Sequence, residues 1–333
     1  MSCQSEEEQY AYIPASVALQ TPSNFPNTTY NFDSNPLTEK GIELGKKLFY
    51  DGNLSADGIV SCGFCHVQSY GFTHHGHTVS HGVFDRVGTR NTPALQNLAF
   101  QNNFMWDGVS HNLDLNSIIP ITAEVEMDAN FNDINLYLQA KPSYVNLFKQ
   151  AFPSGEISTE NVLKALSQFM LTFVSANSKY DKVIRNEAEN FTNDEQQGYV
   201  IFQQKCASCH ATELFSDQTF RNNGLPINPN VNDEGRFKVT DLNTDRYKFK
   251  VPSLRNIAVT APYMHDGRFL NLDAVLEFYN SGVQNTTNLD PLLISSTGRL
   301  GISLSIDEKQ KLKAFLNTLT DSDFLSNPKL SEF

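Results

Sequence analysis

Cysteine is scarce in this 333-residue sequence, with five in all. So few cannot staple a chain of this length, which excludes a disulfide framework as the basis of the fold. No stretch approaches the roughly 18 consecutive apolar residues of a membrane-spanning helix. The longest apolar pattern, Val162 to Val174, is broken by Lys164, Ser167, Gln168 and Thr172 and reads as an amphipathic helix. The start, Met1 to Glu8, lacks the cationic and apolar regions of an export signal. Basic side chains are in deficit: 25 Lys and Arg against 37 Asp and Glu give a formal charge of -12. That balance argues against nucleic acid as a partner and suits solubility or attraction to a basic redox protein.

What cysteine there is falls in a pattern. Ser61-Cys62-Gly63-Phe64-Cys65-His66 and Lys205-Cys206-Ala207-Ser208-Cys209-His210 both carry Cys-x-x-Cys-His and together use four of the five cysteines. Two thiols at this spacing add across the vinyl groups of a haem, and the adjacent histidine then sits under the iron. A disulfide or a thioredoxin-type pair needs no trailing histidine, and zinc ribbons set their pairs about 15–20 residues apart, far closer than here. The motifs point to two covalently bound haem c groups. Such attachment occurs outside the cytoplasm, so a periplasmic protein is expected. The remaining cysteine, Cys3, follows Ser2 and precedes an acidic run, which resembles the mature start of a bacterial lipoprotein tethered to a membrane; a free thiol on a tail is the alternative.

Length supports two domains, with one motif in each half. Gly41 to Phe49 leads towards the first motif and Gln197 to Phe202 towards the second, each with helical spacing and a phenylalanine near its end. The expected fold is mainly α: two cytochrome-c-like helical domains with long loops and little strand. Residues 1–30 are expected as a flexible tail, 31–185 as the first haem domain and 186–325 as the second. A long helix is expected over 159–184, opened by Ser158 or Thr159 before Glu160. The Asn-, Pro- and Asp-rich runs at Thr21–Pro36 and Leu225–Gly235 read as loops, and Asn230 to Gly235 as a solvated one.

Further segments carry a family likeness: Leu48-Phe-Tyr-Asp51, Gly88-Thr-Arg-Asn-Thr-Pro-Ala-Leu95, Met105-Trp-Asp-Gly108, Pro120 through Glu126-Met127, Phe249-Lys-Val-Pro-Ser-Leu-Arg-Asn256 and Thr260-Ala-Pro-Tyr-Met-His-Asp-Gly267. In this order, with both haem motifs, the chain resembles the bacterial dihaem cytochrome c peroxidases and their relative MauG over nearly its whole length. The resemblance implies that peroxide reacts at the N-terminal haem and that the C-terminal haem relays electrons from an external donor, a small cytochrome c or a copper protein. It implies that Glu126 moves a proton between the peroxide oxygens. Trp106, the single tryptophan, would help electrons cross between the haems. Asn91, Thr260 and Pro262 would supply oxygens to one calcium ion. Dimers are common in the family, so a homodimer is a possibility. Read locally, Glu124 and Glu126 are ordinary surface charges and Trp106 a core aromatic.

Two positions depart from the better-known peroxidases. Val83 stands where those enzymes carry a histidine that caps the peroxide-reactive haem. The nearby His74, His75, His77 and His81 could replace it, hold a surface metal ion, or simply form a polar loop. Tyr279 falls where those enzymes use methionine as second axial ligand of the C-terminal haem; a phenolate there resembles MauG and would lower the reduction potential. Met264 is the alternative ligand. These departures keep a MauG-like oxidation of a protein or other aromatic substrate in view beside peroxide reduction. A dihaem electron carrier without catalysis is the reading from a different class.

Overall fold

The computed structural model describes Tyr12 and residues 15–332. Two helix crossings, one in each half, place the two haem motifs. In the first, the Glu39–Phe49 helix opens on Thr38, whose hydroxyl accepts from the Gly41 N–H, and carries Glu39 in its first turn and Lys46 and Lys47 in its last. That charge order suits the helix dipole. Its buried side, Leu44, Leu48 and Phe49, packs on the Thr159–Leu171 helix. The crossing is close because of Gly45, where a Cβ would stand 2.0 Å from the Ala165 carbonyl oxygen.

The second half repeats the device. The Asn193–Lys205 helix, started by a capping box of Thr192 and Glu195, crosses the Ile306–Asn317 helix at Gly198. A Cβ on Gly198 would stand 2.0 Å from the Lys311 carbonyl oxygen. Each glycine is followed four residues later by a buried phenylalanine, Phe49 or Phe202. Two aromatic cores result. One gathers Phe49, Phe72, Phe169 and Phe173; the other gathers Tyr180, Phe202, Phe215 and Phe315. Helix dominates, and the named strands are one antiparallel pair, Phe220–Arg221 with Phe249–Lys250.

The structure corrects three expectations. The helix expected over 159–184 is two helices, Thr159–Leu171 and Lys179–Ile184. The break arises because Ser178 and Asp181 form a capping box that starts a new helix, while buried Ser175 is drawn into bonds with Asn256 and Asp321. Residues 15–30 are not a free tail. Val17 N–H donates to the Leu37 carbonyl, Tyr30 donates to Asp114 at 2.7 Å, and Phe25 packs edge-on to Phe100 and under the Arg255 guanidinium. Cys3 lies outside the described residues. Asn230 to Gly235 is not wholly solvated either, since Asp233 is buried against Arg90, whose charge holds its carboxyl well below the usual range. The chain end also crosses back: Phe324 and Leu330 belong to the first core.

A buried polar seam joins the halves. Arg255, with no exposed surface, pairs through both terminal nitrogens with the Asp181 carboxylate at 2.8 Å. Asn256 donates to Gln96 at 2.6 Å and to Ser175 at 3.0 Å, and accepts from the Asp321 N–H at 2.8 Å. Buried groups of this kind are stable only when paired, and here each finds its partner across the seam.

Candidate active site

One continuous cavity of about 550 Å³ runs between the halves and is bordered by both Cys-x-x-Cys-His motifs. Cys62, Cys65, Cys206 and Cys209 form no disulfide. Burial pushes the first three up to about 12 before any group is attached. The Cys62–Cys65 turn is a short helix capped by Ser61, which presents both sulfurs from one turn. His66 follows as its cap, with Nδ1 2.7 Å from the Phe72 carbonyl oxygen; His210 holds the same relation to Phe215 at 3.1 Å. A carbonyl can only accept, so Nδ1 donates in both rings and Nε2 is left with its lone pair. Burial keeps both imidazoles neutral, His66 down to about 4. These residues fit haem c: paired thiols for the vinyl groups and a neutral, oriented imidazole for the iron beside each.

Glu126 borders the cavity, whereas Glu124, two residues earlier, faces solvent. The backbone sets the difference. Val83 N–H donates to the Glu126 carbonyl at 2.8 Å, and a Cβ on Gly82 would meet the Glu126 Cα at 2.4 Å. Burial raises the Glu126 pKa above the ordinary carboxyl value, opposed by a hydrogen bond from Ser80. Val83 itself is fully buried. None of His74, His75, His77 and His81 borders the cavity, whose histidines are His66, His210 and His265. The tract stacks on itself instead, His74 on His77 at 4.2 Å and His75 on Tyr70 at 3.7 Å.

Trp106, Asn91, Thr260 and Pro262 border the same cavity. The Trp106 indole N–H donates to the Asn91 carbonyl at 2.8 Å, and the Asn91 N–H to the His265 carbonyl at 2.7 Å. The Asn91 side-chain nitrogen donates to Thr78, which leaves its side-chain oxygen as the group able to meet a cation. Among the described residues no group of three His, Cys, Asp or Glu is placed to hold a metal ion, so a hard cation here would rely on carbonyl oxygens.

Tyr279 and Met264 face the cavity on the side of the second motif. Asn223 serves both: its amide donates to the Met264 sulfur at 3.5 Å, and its hydrogen bond to Tyr279 favours the phenolate. Burial outweighs that bond and pushes the phenol up to about 12. Two cavity residues carry no sequence signal: Ser80 and Asn116, whose side-chain oxygen is buried without a partner. Ser and Asn are ordinary loop residues, and what sets these apart is only where the fold points them.

Comparison with known proteins agrees with this geometry. Residues 39–189 match the family model for di-haem cytochrome c peroxidase. The chain is 35% identical over 311 residues to methylamine utilization protein MauG of Methylorubrum extorquens, covering 91% of this chain and 84% of that protein. It is 30% identical to cytochrome c551 peroxidase of Pseudomonas aeruginosa, covering 89% and 83%. Among solved structures, a MauG-like protein associated with microbial copper homeostasis superposes with a TM-score of 0.86 at 31% identity, over 95% of this chain and 99% of that one. The fold is thus that of a dihaem oxidoreductase. The chain belongs to the di-haem cytochrome c peroxidase family, whose members carry two haem c groups.

Proposed function

We propose that this protein reduces hydrogen peroxide to water at the site beside His66, with two electrons and two protons consumed per peroxide. The electrons arrive through the site beside His210 from an external donor, a monohaem cytochrome c or a copper protein. The observation that carries this reading is Glu126, a carboxyl with a raised pKa, held into the cavity by Ser80 and by the Val83 N–H. When bound, haem supplies the redox chemistry of peroxide cleavage. The chain supplies the rest. Cys62, Cys65, Cys206 and Cys209 would hold the two groups covalently, and His66 and His210 would present Nε2 to the irons. Glu126 accepts a proton from one peroxide oxygen and delivers it to the other. Trp106, fixed by its bond to Asn91, provides an aromatic bridge between the halves. Tyr279, with Met264 as the alternative, would supply the second ligand on the C-terminal side. Asn91, Thr260 and Pro262 are the candidate calcium ligands. The reading implies a periplasmic location, where covalent attachment takes place.

Tyr279 on the cavity wall, and the absence of the loop histidines from it, favour a second reading: MauG-like oxidation of an aromatic group on a substrate protein. Stoichiometric peroxide titration of the fully oxidised, haem-loaded protein, followed by optical and electron paramagnetic resonance spectra, tests both. A direct response of both haems to one equivalent supports an open N-terminal site and the MauG-like cycle. A response only after one-electron reduction supports the ordinary peroxidase cycle. No response in either state would leave an electron carrier. Under either catalytic reading, Glu126→Gln slows the peroxide step by about 10²–10⁴-fold.

A further inference from the structure

Four long cationic side chains border the cavity, and three of them are neutralised. Arg90 pairs with Asp107 at 2.5 Å and Asp233 at 2.6 Å. Arg221 pairs with Asp217 at 2.6 Å and Asp290 at 2.7 Å. Lys205 pairs with Glu308 at 2.5 Å. The fourth, Lys250, differs. Its ammonium donates only to neutral oxygens, Gln101 Oε1 at 2.7 Å and the Asn103 carbonyl at 2.8 Å. Among the described residues it makes no ion pair, and burial alone lowers its pKa to about 8.

The ammonium is also fixed in place. Lys250 lies in the short strand paired with Phe220–Arg221, and its N–H donates to the Trp106 carbonyl at 2.7 Å. Gln101 is oriented in turn, because its own amide donates to the Gln96 carbonyl and so directs Oε1 at the lysine. A half-buried cation held beside the bridging tryptophan without a counter-charge is costly unless an anion arrives with a ligand. The groups that fit this cavity, two haems, each bring propionate carboxylates.

We propose that Lys250 is the anchor of a haem propionate at the junction of the halves, a positioning residue whose charge sets the reduction potential next to Trp106. The proposal rests on the two-haem reading. Its test is spectroelectrochemistry of the holoenzyme for wild type, K250M, K250Q and K250R, with haem content measured on every sample. Loss of the positive charge leaves the propionate uncompensated and makes the nearby iron harder to reduce. K250M and K250Q are expected to lower one midpoint so that the ferrous-to-ferric ratio at fixed potential falls about tenfold, which is about 59 mV for one electron. K250R, which keeps the charge, stays near wild type. Unchanged midpoints in a fully loaded K250M or K250Q overturn the proposal, as does a K250R shifted as far as they are. If K250M fails to load haem, K250Q and K250R decide by the same criteria. A wild type without two haems would sink the two-haem reading instead, so the two failures are distinguishable.

Discussion

Glu124 and Glu126 show how much a residue owes to its surroundings. Both are glutamates in one turn, and only the second faces the cavity, because the segment from Ser80 to Val83 lies across it. The raised pKa of Glu126 has two consequences. The carboxyl ionises above its usual range, so the acid limb of kcat/KM for peroxide, read from a pH–rate profile, lies above the ordinary carboxyl value. Ser80 stabilises the ionised form, so S80A moves that limb to still higher pH. E126Q removes it. Folding follows the same sign: a carboxyl with a raised folded pKa binds its proton more tightly folded than unfolded, and stability falls as pH rises from the unfolded value through the folded one. E126Q is therefore expected to melt no lower than wild type at neutral pH while losing activity.

At the scale of the element, the two helix crossings depend on glycine for reasons opposite to the usual one. In an open helix, glycine to alanine stabilises by about 1 kcal/mol. At Gly45 and Gly198 the added Cβ would meet backbone carbonyl oxygen, which cannot rotate away. G45A and G198A are each expected to destabilise by about 1–3 kcal/mol, read as a lowered Tm by circular dichroism of the haem-loaded protein. The helical periodicity and terminal phenylalanine of both segments were readable in the sequence. Their close partners were not, because Ala165 and Lys311 lie more than a hundred residues away along the chain. The misjudged helix over 159–184 has a local cause: apolar spacing continues through Val174, but Ser178 and Asp181 are a start signal.

For the whole molecule, the Arg255–Asp181 pair is a fully buried ion pair in the seam between the halves. Removing one member of a buried pair leaves the other uncompensated, so D181N is expected to cost about 3–5 kcal/mol in denaturant unfolding. Hydrogen bonds and charge from Arg255 hold the Asp181 pKa below its ordinary value despite burial. The stability it contributes is present above the unfolded carboxyl pKa and is lost as pH falls through the depressed folded one, and D181N abolishes that part of the acid sensitivity. The formal charge of -12 acts at longer range. With a basic donor, steady-state kcat/KM is expected to fall as ionic strength rises, since screening weakens steering.

The sequence by itself determined the chemistry that neighbouring residues complete: two haem attachment motifs, the helical lead-ins to them, the acidic balance and the family. Thioether spacing and helix start signals act within a few residues, so they are legible without a fold. Only the tertiary structure decided which glutamate faces the cavity, that the loop histidines stay out of it, that residues 15–30 pack down and that Lys250 stands beside Trp106 without a carboxylate. Those outcomes depend on burial and on partners distant in the chain, which no local pattern encodes.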